Sequence, residues 1–379
     1  NWLAHQTHLI KNMSIMENRH YTLNGSGPGL ISQEVFYYME KVLVTGGCGY
    51  IGSVLVPMLL EKGYGVRVFD KLYFGSEGLK GCLDKIELVA GDIREIKPGV
   101  LEGVDHVIHL GSLSNDPTAA FDPEANYTIN YKGSVDLAKI SKRMRVKKFT
   151  YASSAATYGF FVDGVATEDN LVNPQSEYAK SKVDVDYELK KMAGDSFCPV
   201  ALRQSTVHGY SPRMRWDLVV NAFVMYAFKT GCLDVWYGGE AFRPNIHVTD
   251  VAAAHIACIE ADPELVSGEI FNIAGENYKV LEMAHRIRKA LREMGLDVKV
   301  EANYDEADNR SYRVSGEKIK RRIGFSPRWT IEESAKDIAA KILDGTLKKD
   351  FDNPIYYNIR WMLLLKEMEE RLKLIGKIF

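Results

Sequence analysis

From residue 41 the chain alternates short runs of β-branched and aliphatic residues with longer stretches whose apolar positions recur at helical spacing, a pattern that predicts βαβ units and a parallel sheet. Val42–Val44 reads as a first strand and Ser53–Glu61 as the helix after it. Further strands are predicted at Val66–Phe69, Ile86–Val89, His106–His109 and Lys148–Ala152, with a helix from about Asn130 to Lys142 between the last two. A helix over Tyr178–Met192 and a strand over Pro199–Arg203 follow. Beyond residue 206 the alternation becomes irregular, with a turn at Gly238-Gly239 and a polar stretch at Asn303–Arg313, which suits a second domain closing over a substrate. The expected organisation is therefore a doubly wound parallel α/β sheet over 39–205 and a smaller α/β substrate domain over 206–350, of which about 243–275 crosses back to the first. A helical extension over 351–379 carries apolar residues at helical spacing that can cover a core edge or a partner subunit. Residues 1–38 contain the turn-rich Asn24-Gly-Ser-Gly-Pro-Gly and are expected to form a flexible extension, with Met39-Glu40-Lys41 reading as a natural start.

A length of 379 residues exceeds what one hydrophobic core usually serves, in line with two domains, and 46% apolar residues support large cores. Lys plus Arg (48) nearly balances Asp plus Glu (50), and the cations are scattered, so nucleic acid is not an expected partner. The five cysteines, at 48, 82, 198, 232 and 258, show no C-x-x-C pair or His/Cys ligand spacing, and read as reduced thiols of a cytoplasmic protein without structural zinc. No apolar run approaches the ~20 residues of a membrane span; Trp361-Met-Leu-Leu-Leu is soon interrupted by Lys366 and Glu367.

Chemistry enters where the first strand meets the first helix. Val42-Leu-Val-Thr-Gly46-Gly47-Cys-Gly49-Tyr50-Ile51-Gly52 puts glycines at that junction, so the turn can tighten and the amides at the helix start can approach a pyrophosphate. Asp70 ends the second strand, 18 residues beyond Gly52. A carboxylate there accepts from ribose hydroxyls and repels a 2′-phosphate, which points to NAD over NADP, although Lys71 and Arg67 lie close enough to soften the preference. Gly91-Asp92-Ile93, after the third strand, is a candidate adenine-edge site or an ordinary exposed loop.

Tyr178-Ala-Lys-Ser-Lys182 sets a Tyr and a Lys four apart on one helical face. A free phenol, with a pKa of about 10, ionises poorly at neutral pH, and a nearby ammonium favours the phenolate. Upstream, Ser153-Ser154 ends the fifth strand, where a hydroxyl either holds a reacting oxygen beside the phenol or caps a loop.

Taken together, T-G-G-x-G-x-x-G, the strand-end Asp, S-S-x-x-x-Y-G and Y-x-x-x-K resemble the extended short-chain dehydrogenase/reductase superfamily, and within it the nucleotide-sugar epimerase/dehydratase group, over about residues 39–345. The resemblance implies a Rossmann-like cofactor domain, with NAD held by Gly46, Gly49, Tyr50, Ile51, Gly52, Asp70, Asp92 and Ile93, and with Ser154, Tyr178 and Lys182 as the catalytic set. His109-Leu110-Gly111-Ser112 is similar to the strand-four segment lining the nicotinamide, usually written with two alanines; Gly111 and Ser112 depart from it. Asn130 matches a family Asn that supports the active-site helix, and the resemblance counts it with the cofactor-binding residues. The resemblance further implies a homodimer pairing through helices at about 122–142 and 177–192.

Family dehydratases and decarboxylases carry an acid just after the catalytic Ser or Thr, where this chain has Ala155 and Ala156. That leaves oxidation at one sugar carbon, C4 by resemblance. Return of hydride to the other face of the keto-sugar makes a 4-epimerase. Release of the keto-sugar makes a 4-dehydrogenase or, in reverse, a 4-ketoreductase, and a non-catalytic NAD-binding scaffold is the lesser alternative. A nucleoside-diphosphate sugar demands cations. Arg243 resembles the family's pyrophosphate arginine, Asn221 the Asn before the substrate-domain helix, and Arg310 part of the late segment completing the site. Arg213 is a further candidate, while Arg215 can pair with Asp217 or Asp250 instead. Each arginine also reads as a solvated or ion-paired residue. His109, His208 and His247 lack a neighbouring carboxylate or Cys cluster, so no metal is expected.

Overall fold

The computed structural model describes residues 39–161, 164–304 and 311–375; the N-terminal extension read over 1–38 lies outside them. Val42, Leu43 and Val44 are all fully buried, because a strand covered on both faces needs apolar side chains pointing both ways. This strand, β1 (Lys41–Thr45), lies inside a seven-stranded sheet completed by β2 (Gly65–Asp70), β3 (Glu87–Ala90), β4 (His106–His109), β5 (Lys148–Ser154), β6 (Cys198–Gln204) and β10 (Ile270–Ile273). The order is β10-β6-β5-β4-β1-β2-β3, and every pairing is parallel. The chain runs outward from β1 to β3 on one side and from β4 to β6 on the other, so the order reverses between β1 and β4. At such a switch point the carboxyl ends of the strands leave a crevice.

The helices connecting these strands include Gly52–Glu61 after β1 and Glu177–Met192 before β6. The third strand begins one residue later than expected. The stretch anticipated as one helix from Asn130 is a π-helical turn, Tyr127–Gly133, followed by an α-helix, Ser134–Arg143. The Asn130 carboxamide engages the backbone of Leu113 across the chain, a demand that helical periodicity does not register.

After β6 the strands are short. β7 (Thr206–His208), β9 (Phe242–His247) and β11 (Asn277–Lys279) form one small sheet; β8 (Cys232–Val235) pairs in parallel with β12 (Lys299–Ala302). Three helices, Val219–Lys229, Val280–Glu293 and Ile331–Leu343, pack over them around Trp216, Phe223, Ile287 and Ile338. A last helix, Asn358–Ile375, returns to the sheet, where Met362 packs against the core containing Phe69, Ile93 and Val135. All five cysteines are unpaired. Among the described residues no helix is long and apolar enough to cross a membrane.

Candidate active site

A cavity of about 740 Å³ opens along the carboxyl ends of β1, β2, β4 and β5, within the range of small-molecule sites. Its floor is the glycine turn. Gly46 has φ +71°, and a Cβ there would lie 2.7 Å from the backbone of Gly111. A Cβ at Gly52 would come within 2.3 Å of the Gly47 carbonyl oxygen. At Gly49 an added Cβ would meet only the Gly46 carbonyl oxygen, at 3.1 Å, so that side of the turn faces open space at the start of the helix Gly52–Glu61. A phosphate can approach backbone there, and the helix end favours its charge.

Asp70 lines the cavity beside this turn. Its Oδ2 accepts from the Cys48 amide (2.9 Å) and its Oδ1 from the Leu72 amide (2.7 Å), which fixes the carboxylate while leaving lone pairs for hydroxyl donors. The two cations that could have welcomed a 2′-phosphate have carboxylate partners. Arg67 binds Glu87 (2.6 Å), and Lys71 lies 3.5 Å from Asp92. Arg94 grips Asp92 through a side-chain hydrogen bond that holds its carboxyl down at about 2. Asp92 and Ile93 nonetheless line the same end of the cavity. Cradle, acceptor and charge balance together fit a dinucleotide without a 2′-phosphate.

The far end is built from β4, β5 and the helix Glu177–Met192. Leu110, Gly111 and Ser112 follow β4 along the wall. Asn130 is fully buried and lies outside the lining: its Oδ1 accepts from the Leu113 amide (2.7 Å), and its Nδ2 donates to the Leu113 carbonyl (2.9 Å). It shapes the wall from behind. His109 bridges Thr45 (2.6 Å) and Ser134 (2.8 Å), and burial drops its pKa to about 3, so it is a neutral strut.

Ser176 caps the helix Glu177–Met192 by accepting from the Ala179 amide (3.1 Å), and donates to Asp116 Oδ1 (2.6 Å). This cap aims the first turns at the end of β5, where the Ser154 hydroxyl hydrogen-bonds Tyr178. One turn on, Lys182 Nζ donates to the Ala152 carbonyl (2.8 Å) and to Ser112 Oγ (3.2 Å), and lies 5.5 Å from the centre of the Tyr178 ring. The three side chains read from the sequence therefore converge at one end of the cavity. Their electrostatics depart from the sequence argument. Burial pushes the Tyr178 phenol up to about 12, against the Ser154 hydrogen bond, and burial brings the Lys182 ammonium down to about 7. Desolvation outweighs the mutual help expected from the four-residue spacing. Behind them Asp186 pairs with Arg203 (2.9 Å), both buried, and Arg203 reaches the Tyr158 hydroxyl (3.1 Å).

Arg213, Arg215 and Arg243 all line the cavity. Arg243 donates to the Phe242 carbonyl (2.9 Å); the Arg213 guanidinium stacks 3.6 Å over Phe74 and donates to Asn358 (2.7 Å), with burial lowering its pKa to about 9. Arg215 makes the pairing anticipated with Asp217, through two bonds of 2.8 and 2.9 Å. Arg310 lies outside the described residues. Asn221 is placed away from the cavity lining: its carboxamide accepts from the Gly209 amide (2.9 Å) and donates to the Tyr50 hydroxyl (3.1 Å) and the Arg215 carbonyl (2.9 Å). With those partners its carboxamide braces the wall behind the lining. Tyr50 does line the cavity, its hydroxyl donating to the Gly209 carbonyl (2.6 Å).

Several lining residues were not read from the sequence, notably Tyr73, Phe74, Asp116, Trp236, Asn358 and Met362. Asp116 was open to inference from its place shortly after the strand-four motif. Asn358 and Met362 had no local signal, since only the return of the last helix brings them in.

The family model described as "NAD dependent epimerase/dehydratase family" matches residues 42–274. A UDP-glucose 4-epimerase of Corynebacterium glutamicum is 28% identical over 307 residues, covering 76% of this chain and 92% of its own length. The solved UDP-glucose 4-epimerase of Thermotoga maritima, determined with UDP-glucose, superposes with a TM-score of 0.71 at 25% identity over 81% of this chain and all of its own. The dTDP-glucose 4,6-dehydratase of Bacillus anthracis, solved with NAD, shares the fold with a TM-score of 0.69 at 22% identity, over 82% of this chain and 99% of its own.

Proposed function

The chain belongs to the NAD-dependent epimerase/dehydratase family, and on that premise we propose that it is a nucleotide-sugar 4-epimerase. The observation that carries the reading is the convergence of Ser154, Tyr178 and Lys182 beside the glycine turn, with only methyl groups on Ala155 and Ala156 after the serine. Gly46, Gly49 and Gly52 let the dinucleotide pyrophosphate approach backbone, Asp70 takes the adenosine ribose hydroxyls, and Gly111 and Ser112 flank the reactive ring. NAD, when bound, supplies the site that takes hydride from C4 of the sugar and gives it back.

The remaining work falls to the protein. Ser154 Oγ holds the C4 oxygen next to the phenol. Tyr178 accepts the hydroxyl proton as C4 is oxidised and returns it when the keto-sugar is reduced on its other face. Because burial disfavours the free phenolate, the cation at Lys182 and the assembled ligands must lower the Tyr178 pKa in the complex. Arg213 and Arg243 balance the diphosphate. Asp116, whose charge raises Tyr178, accepts from the Ser176 cap and so belongs to the helix start instead of serving as the acid that elimination requires. Exposed Tyr127 and Tyr187, on the stretches expected to pair two subunits, support a homodimer.

The test is to incubate the protein with UDP-, GDP-, CDP- and dTDP-hexoses, identify products by NMR and follow absorbance of reduced cofactor. An inverted C4 centre without net NADH supports the reading. Stoichiometric NADH, or a 4-keto-6-deoxy product, rejects it in favour of a dehydrogenase or a dehydratase.

A further inference from the structure

One wall of the cavity comes from outside the segment that the family model matches. The helix Asn358–Ile375 enters the site at its first turn. Asn358 Oδ1 accepts from Arg213 Nη2 (2.7 Å), its Nδ2 donates to Ser114 Oγ (2.8 Å), and its backbone amide donates to Asp217 (3.2 Å). One turn later, Trp361 Nε1 donates to the Tyr73 carbonyl (2.5 Å).

Tyr73 belongs to the loop after β2, which leaves Asp70 through Leu72 in the left-handed region (φ +60°) and lays Phe74 over Arg213. Helix and loop thus meet beside Asp70, the acid assigned to the adenosine ribose. Half-buried Leu364, Leu365 and Lys366, the last lying over Phe121 (4.6 Å) and 3.8 Å from Asp122, carry the contact one turn further. From Glu367 to Lys373 every residue is exposed. Attachment concentrated at one end of an element favours local opening.

We propose that the C-terminal helix is a strap over the ribose end of the dinucleotide site, latched by Asn358 and Trp361, and that cofactor enters and leaves only when this latch opens. The proposal rests on the reading that the cavity holds NAD. A strap of this kind suits a reaction in which hydride is lent and recovered, because a cofactor escaping in mid-cycle would strand the keto-sugar.

Asn358→Leu removes the side-chain bonds at similar volume, and Trp361→Phe removes the indole N–H while keeping an aromatic ring. Entry and exit of NADH are followed by stopped-flow fluorescence, exit by chase with excess NAD. Latch opening accelerates both directions, so each variant is expected to speed entry and exit by roughly tenfold, the change that follows from losing a hydrogen bond of ordinary strength. Unchanged rates in both variants would overturn the strap. Faster exit with unaltered entry would overturn it too, since that is the mark of a lost contact with ligand. A wild-type protein that binds no NADH would instead refute the underlying reading, a result independent of either variant.

Discussion

Lys182→Met asks whether the lysine is held in the site at the expense of stability. Burial lowers its pKa from 10.5 to about 7, and each pKa unit corresponds to about 1.4 kcal/mol, so keeping it in the fold costs about 5 kcal/mol below pH 7. Methionine fills similar space without the charge but leaves the Ala152 carbonyl and Ser112 hydroxyl, now 2.8 and 3.2 Å from Nζ, without their donor. That loss is worth about 2 kcal/mol in total, most of it from the buried carbonyl. The net expectation at pH 6 is a variant more stable by about 3 kcal/mol and far less active.

The sign with pH follows from linkage. Between the folded pKa near 7 and the unfolded value of 10.5, the unfolded chain binds a proton that the folded chain does not, so wild-type stability rises with pH across that window. The advantage of the variant is therefore full below pH 7 and nearly gone by about pH 9. Thermal melts of both proteins at pH 6 and pH 9 read this directly. A variant that melts below wild type at pH 6, or a difference that is the same at both pH values, would refute the reasoning.

Gly52→Ala should weaken NAD binding by at least tenfold and destabilise the fold by about 1–3 kcal/mol, because the new Cβ meets the Gly47 backbone at 2.3 Å; calorimetric titration and a denaturation curve check both. Arg203→Met leaves Asp186 buried without its guanidinium partner and should cost about 3–5 kcal/mol; a variant within 1 kcal/mol of wild type in urea would count against that charge accounting, on the same principle.

The inner strands of the large sheet were legible because they are buried on both faces and so carry apolar residues at successive positions: Val42–Val44 needed no tertiary information. The glycine turn and the Tyr178/Lys182 pair were legible for a different reason, since each is local and its geometry is set within a few residues. What the sequence hid depends on contacts between distant segments. The partners of Asn221, which come from Tyr50, Gly209 and Arg215, could not be read from its neighbours in the chain. The strands after residue 206, all three to six residues long, lack the regular alternation with helices that marked the first half of the chain. Burial, invisible in a spacing, reversed the expected direction of the Tyr178 pKa.

If the Tyr178 phenol moves the proton while the glycine turn holds NAD, one substitution separates the two functions. Tyr178→Phe, assayed on the sugar nucleotide identified by the product panel and titrated with NAD in parallel, tests that separation most directly. NAD affinity and melting temperature are expected to match wild type, with turnover reduced by about 10²- to 10⁴-fold. Turnover at the wild-type rate in that variant would contradict it.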